Sequence, residues 1–282
     1  MRTPEAVAAA GQLACLLEVS APKPGNVSPD RHFHDTRYED FLASAVAIGP
    51  ALAAAGERPL GATVRAAVEA TSRWTRSNTN LGIILLLAPL ARAAHRTTGA
   101  LRPAVAEVLA STTVSDAAEV YAAIRLARPG GLGAAASEDV AAVPTVALRQ
   151  AMALAAERDS VAREYVTDFA ATFEIGAPAV RAARGDGLAW ADATVEAYLQ
   201  LLAALPDTHI ARKLGRAAAE DVSRTARAAV DAGGVRSPAG RQALASFDRA
   251  LRDPANTRNP GTTADLTCAA LFVVILEGGW NP

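Results

Sequence analysis

Asp192-Ala193-Thr194-Val195-Glu196-Ala197-Tyr198-Leu199-Gln200-Leu201-Leu202 sets Val195, Tyr198, Leu199 and Leu202 on one side and sends Asp192, Glu196 and Gln200 elsewhere, because residues three and four apart share a helix face. The same period is expected to run on through Ile210, Leu214, Ala217 and Ala218. Alternation of apolar and polar residues, the mark of a half-buried strand, is missing, while alanine-rich stretches such as Ala51 to Ala55 favour helix and close helix packing. The reading is an all-α protein. Pro and Gly gather at 21–29, 56–61, 128–133, 185–187, 233–238 and 253–261, dividing the chain into roughly ten helices joined by short loops. With no repeat and no evident linker, residues 1–282 are expected to form a single compact multi-helix bundle, a two-lobed bundle being the alternative at this length.

The 282 residues are 51% hydrophobic and 20% charged, which suits a folded protein with a large core and excludes a disordered one. A formal net charge of -1 gives no general attraction to nucleic acid or to an anionic membrane, so any anion site has to be local. Cys15 and Cys268 lie in apolar helical stretches, where a thiol behaves as a small buried hydrophobe, and this usage suits the cytoplasm. The apolar runs at 81–91 and 266–276 fall short of the ~20 residues of a membrane span and read as core helices. Thr3 and Pro4 read as the cap and first turn of an ordinary helix rather than as part of a signal peptide.

Three loops carry chemistry: Pro22-Lys23-Pro24-Gly25-Asn26-Val27, Ser77-Asn78-Thr79-Asn80-Leu81-Gly82 and Asn259-Pro260-Gly261-Thr262-Thr263-Ala264-Asp265. Each flanks an apolar helical run, so helix-start N–H groups stand beside Lys, Asn and Thr donors, which is the chemistry of an anion site and suggests a phosphorylated substrate. The same residues also fit simpler roles: a proline-bounded turn, a helix cap, and for Asp265 a carboxylate in the first turn at the positive end of a helix dipole. Glu157-Arg158-Asp159-Ser160-Val161-Ala162-Arg163-Glu164 reads as a solvated helix face with Asp159 and Arg163 one turn apart. His32 and His34 are metal-ligand types, but a site needs three or four ligands and no partner motif stands near, which leaves Asp35 as the residue of interest there.

Taken together, Pro-Lys-Pro-Gly-Asn-Val at 22–27, Asn-Thr-Asn-Leu-Gly at 78–82, Asp207-Thr208 followed by Arg212-Lys213-x-Gly215, and Asn-Pro-Gly-Thr-Thr-Ala-Asp-Leu at 259–266 resemble the triphosphoribosyl-dephospho-coenzyme A synthase family, from about Gly11 to Gly279. The resemblance implies an all-helical transferase that joins ATP to 3'-dephospho-coenzyme A, releases adenine, and makes the prosthetic-group precursor of the acyl carrier protein of citrate or malonate lyases and decarboxylases. Some positions depart from the family's pattern. Its Gly-Leu-Val-Asp falls on Gly25-Asn26-Val27-Ser28. Its His-Lys-Asp-Met puts the aspartate on Asp35 and the histidine on Phe33, its Asn-Thr-His-Lys-Gly falls on 78–82 with Asn80 and Leu81 in place of His and Lys, and its Arg-Gly-Glu keeps only Glu138 of Ala136-Ser137-Glu138.

Transfer of this kind needs a carboxylate to support an oxocarbenium-like carbon, a base for the attacking hydroxyl, and donors for the triphosphate. Asp35, Glu138, Glu174 and Asp265 are the catalytic candidates, with Asp207 a further carboxylate. Lys23, Gly25, Asn26, Asn78, Thr79, Asn80, Gly82, Arg163, Asp207, Lys213, Asn259 and Gly261 are the candidates for nucleotide binding. Magnesium is expected with the triphosphate, on Asp35 and Asp265. The loops at Lys23, Asn78, Asp207 and Asp265 are expected to line one cleft. Two alternatives stay open: a related transfer to another acceptor in one-carbon cofactor biosynthesis, and a nucleotide-binding protein without catalysis.

Overall fold

The structure, a computed structural model, describes residues 2–130, 133, 135 and 137–280. Among these residues there is no strand, only an isolated bridge between Ser28 and Arg31, and no helix is long and apolar enough to cross a membrane. The helices are α1 (Pro4–Ser20), α2 (Tyr38–Ala47), α3 (Gly49–Ala53), α4 (Leu60–Ser72), α5 (Leu81–Arg96), α6 (Leu101–Ala110), α7 (Val114–Ala127), α8 (Leu148–Ala155) and α9 (Ser160–Val166), then α10 (Ala177–Gly185), α11 (Trp190–Ala204), α12 (Thr208–Leu214), α13 (Arg216–Asp231), α14 (Pro238–Leu251) and α15 (Gly261–Leu276). These segments are more numerous and shorter than the roughly ten expected, because breaks such as Gly49-Pro50 and Gly215 cut helical periods that look continuous in sequence. Thr3 caps α1 as expected, its Oγ1 accepting from Ala6 N at 3.2 Å. Contacts divide the chain into two compact units, residues 1–15 with 39–169, and residues 16–38 with 170–282.

The first unit is built on α5. Ile83, Ile84, Leu86, Leu87 and Leu90 are buried against α4 and α6, as the apolar run predicts. Pro89 stands inside this helix and has no N–H to give the carbonyl four residues back. The fully buried Tyr165 fills the gap, donating its hydroxyl to Leu85 O at 2.7 Å. At the start of α7, Thr113 and Asp116 form a capping box, and Asp116 Oδ1 also accepts from Gly61 N at 2.8 Å. There α4 comes so close that a Cβ on Gly61 would fall 2.4 Å from Asp116 O. Trp74 of this unit is 70% exposed.

The second unit packs around α11 and α15. Val195, Tyr198, Leu199 and Leu202 are buried with Ile210, Ala219, Val222 and Phe247, so the face read from the sequence is the core face. Glu196 departs from that reading. It is buried, paired with Arg236 at 2.6 Å and accepting from Val235 N at 2.7 Å, because the 234–236 turn closes over it. Leu214 and Ala217 depart as well: both are exposed, since Gly215 at φ +89 ends α12 and starts α13 in a new direction, and Ala219, Val222 and Ala226 carry the buried face instead. The helix α15 is apolar on all sides and buried along 266–274, and Cys268, like Cys15, is a buried thiol outside any disulfide. A π-helical turn at Ala171–Gly176 lets Gly176 approach so closely that a Cβ there would lie 2.7 Å from Ala270 Cβ. Trp190 stacks on Trp280 with ring centroids 4.9 Å apart, and the Arg184 guanidinium sits 4.7 Å over Trp190.

Candidate functional site

Two of the three polar loops turn out to be saturated by the protein itself. Lys23, just past the end of α1, points inward with its side chain 0% exposed. Its Nζ pairs with Glu18 Oε1 at 2.9 Å and donates to Ala21 O at 3.2 Å and to Glu18 O. It caps the carbonyls at the end of α1 and is not placed to hold a phosphate. Gly25 (φ +76) donates to Asp248 Oδ1 at 2.9 Å, and a Cβ there would meet Leu251 Cδ1 at 2.9 Å and Pro260 Cδ at 3.0 Å. Both the left-handed backbone and the close approach call for glycine. Asn26 is buried and donates to Tyr198 Oη at 3.0 Å, while that hydroxyl donates to Pro24 O at 2.7 Å. Lys23, Gly25 and Asn26 therefore tie a knot rather than cradle a ligand.

In the first unit, Asn78 Oδ1 accepts from Leu81 N at 3.1 Å at the start of α5, the buried Thr79 hydroxyl meets Ser44 Oγ at 2.6 Å, and the buried Asn80 donates to Thr71 Oγ1 at 3.2 Å. Gly82 follows in the first turn. These are the contacts of a cap and of helix packing. Glu138 holds both the backbone and the hydroxyl of Thr145, which keeps its carboxyl below the ordinary carboxylate range; Ala136 of the same motif lies outside the described residues. Asp159 caps α9, accepting from Val161 N and Ala162 N, and the exposed Arg163 donates to Ala156 O at 3.1 Å. Glu174 is exposed on the π-helical turn of the second unit.

The remaining candidates converge where α12 and α15 begin. The buried Asp207 carboxylate accepts from His209 N at 2.8 Å and Ile210 N at 3.0 Å through Oδ1, and from Thr263 N at 2.7 Å and Thr263 Oγ1 at 2.8 Å through Oδ2. Burial pushes its pKa up, and these hydrogen bonds pull the other way. Asp207 thus supplies, from inside the protein, the anion that the start of α15 favours, and is a brace rather than a nucleotide contact. Thr208 Oγ1 donates to Thr262 Oγ1 at 3.2 Å beside it.

On the flank of this brace, Gly261 faces His209: a Cβ added to Gly261 would lie 3.5 Å from His209 Cγ and 3.6 Å from Asn259 Nδ2. Asn259 Oδ1 is buried without a hydrogen-bond partner. Because α15 starts at Gly261, Asp265 opens its second turn, not its first as expected, and shares a face with Gly261 four residues earlier. The dipole effect fades within the first turn, so it gives Asp265 little reason to be there. One turn along α12, Arg212 donates to His209 Nδ1 at 3.3 Å and Lys213 to Asn256 O at 3.3 Å. Asn256 Nδ2 meets His34 Nδ1 at 3.2 Å, which brings the Asp35 loop to the same end of the unit. Desolvation lowers the Lys213 pKa, opposed by the Asp253 and Asp35 carboxylates. His209 is lowered from 6.5 to about 3, by burial first and then by Lys213 and Arg212. His32 is used locally, accepting from Tyr38 N at 3.1 Å. Among the described residues, no three His, Cys, Asp or Glu are grouped to hold a metal ion.

His209 and Asp253 stand at this end of the unit too, beyond the residues expected from the sequence. Asp253 folds its loop by accepting from Ala255 N, Thr257 N, Thr257 Oγ1 and Arg258 N. For His209 the signal was present: Arg212 and Lys213 stand three and four residues after it, one helical turn away.

A family model for ATP:dephospho-CoA triphosphoribosyl transferase matches residues 4–282. The chain belongs to this family. It is similar to a "Probable 2-(5''-triphosphoribosyl)-3'-dephosphocoenzyme-A synthase" of Pseudomonas fluorescens, 32% identical over 111 residues, covering 39% of this chain and 38% of that protein. A protein of the same name from Pseudomonas paraeruginosa is 36% identical over 108 residues, covering 37% of this chain and 36% of the relative. In these matches the chain spans less than two fifths of the curated relatives' length. A crystal structure from Archaeoglobus fulgidus, provisionally described as a triphosphoribosyl-dephospho-coA synthase, is 30% identical with a TM-score of 0.66, covering 84% of this chain and 99% of that one.

Two outcomes follow for this family member. Removing one partner of a buried ion pair strands the other charge, so Lys23→Met should lower stability by about 3–5 kcal/mol in equilibrium denaturation, and Lys23→Met with Glu18→Leu should recover much of it. The His209 ring stays neutral in the fold down to about 3, whereas the unfolded ring titrates near 6.5. The unfolded state binds more protons between those values, so stability present above 6.5 is lost as pH falls toward 3. Asp207, whose pKa is raised by burial, acts in the opposite direction. Denaturation across this range should show a flatter acid limb for His209→Asn than for the wild type.

Proposed function

We propose that this chain transfers the triphosphoribosyl group of ATP to 3'-dephospho-coenzyme A and releases adenine. The observation that carries this reading is the convergence of Arg212 and Lys213 with Asp265, Asn259 and the Asp35 loop, in a chain matched to the family along 4–282. In the reaction the bond from the ribose anomeric carbon to adenine breaks, its electron pair leaves with adenine, and adenine takes up a proton. A hydroxyl of the acceptor bonds to that carbon and gives its proton to a base. Arg212 and Lys213 hold the triphosphate as cations. Asp265, half-buried, is less screened than Asp35, whose side chain is 61% exposed, and is the better support for positive charge at the anomeric carbon.

Magnesium fits this donor set. It takes one or two carboxylates plus phosphate oxygens rather than an all-protein cage, and Asp35 or Asp265 would supply the carboxylate. When bound it neutralises phosphate charge. A second reading, transfer to another acceptor, is favoured by Asn80 and Leu81, which stand where the family has His and Lys and which bury both side chains, at 6% and 7% exposure. The cytoplasm is the compartment this chemistry suits.

Mass spectrometry of the protein with ATP, magnesium and dephospho-coenzyme A should detect free adenine and the triphosphoribosyl adduct. Adenine without that adduct selects the second reading, and no adenine with any acceptor overturns both. Asp265→Asn removes a charge while keeping shape, so kcat/KM should fall roughly a hundredfold to a thousandfold with the thermal midpoint almost unmoved. A variant that melts early yet turns over normally would return Asp265 to a structural role.

A further inference from the structure

We propose that His209 contacts the substrate directly, its Nε2–H donating to a phosphate oxygen of the bound nucleotide. The identity of that ligand rests on the transferase reading above. The tautomer follows from the Arg212 contact: a guanidinium can only donate, so Nδ1, 3.3 Å away, accepts, and the ring proton is on Nε2. The hydrogen bonds of His209 to described residues are those of its backbone N to Asp207 and of Nδ1 with Arg212, which leaves the Nε2–H unused. The ring is half-buried beside Arg212 and Gly261, and Nε2 is not among the buried atoms left without a partner, so this donor is open to an incoming ligand.

Charge explains why an imidazole suits this position. Arg212 and Lys213 already bring two positive charges to one turn of α12, and a third would repel them before the polyanion arrives. A ring held neutral by burial and by those same cations adds a donor without adding charge. The ring also holds the Arg212 fork by its far nitrogen, so one side chain orients a cation and contributes a donor of its own.

Two variants separate these tasks. Glutamine places an amide N–H near the Nε2 position, whereas asparagine reaches only the Nδ1 end and keeps an acceptor for Arg212. Calorimetric titration of the full chain with ATP, with inorganic tripolyphosphate and with adenosine should show His209→Gln within about threefold of the wild type for all three. His209→Asn should bind ATP and tripolyphosphate about tenfold more weakly, the size of one hydrogen bond to a charged group, with adenosine unchanged. Circular dichroism checks that both variants fold. Wild-type affinity in His209→Asn, or loss in the glutamine variant with retention in the asparagine variant, overturns the proposal and leaves the ring a support for Arg212. Wild-type protein that binds ATP and tripolyphosphate but releases no adenine overturns the transferase reading and leaves the variant comparison valid; wild-type protein that binds neither overturns both.

Discussion

The carboxylate of Asp207 is the contact on which the arrangement of the second unit depends. Four donors reach it, two from the start of α12 and two from Thr263 on α15, so one buried charge fixes two helices end to end. Burying a carboxylate is costly, and the hydrogen bonds offset that cost only in this geometry. Shifting either helix by a fraction of a turn would leave the charge under-satisfied. That is how His209 and Arg212 on one helix are held in register with Gly261 and Asp265 on the other.

The same principle recurs on a smaller scale. Lys23 and Glu18 close the end of α1, and Glu196 with Arg236 pins the 234–236 turn onto α11. Pairs of this kind add little net stability compared with apolar side chains of similar volume. They do penalise alternative packings, in which each charge would be stranded. In a unit whose apolar helices are rich in alanine and leucine, and so able to slide, such contacts give the core one register.

The all-helical class could be read from the sequence because helical periodicity is local: Val195, Tyr198, Leu199 and Leu202 face the core as their spacing requires. Site chemistry was legible only where it too was local. Lys23 looked like a phosphate ligand because a lysine between prolines is normally solvated, and nothing nearby in the sequence says that Glu18 turns inward to meet it. Leu214 and Ala217 would continue the buried period only if the helix ran on through Gly215, and there one residue with positive φ redirects the chain. Part of the surroundings of His209 is made by α15, more than fifty residues later in the chain, and so is not written beside it in the sequence. The anion-site logic of the Asp265 loop was sound as physics, but the anion at the helix start is the protein's own.

The tryptophans give each unit an optical signature of its own. Of the three in the chain, Trp190 and Trp280 stack face to face in the second unit, close enough for their electronic transitions to couple, while Trp74 stands mostly in water in the first. Exciton-type dichroism therefore belongs to the second unit, and quenching by small solutes in the folded state falls chiefly on the first. Opening of either unit can thus be followed separately in unlabelled protein.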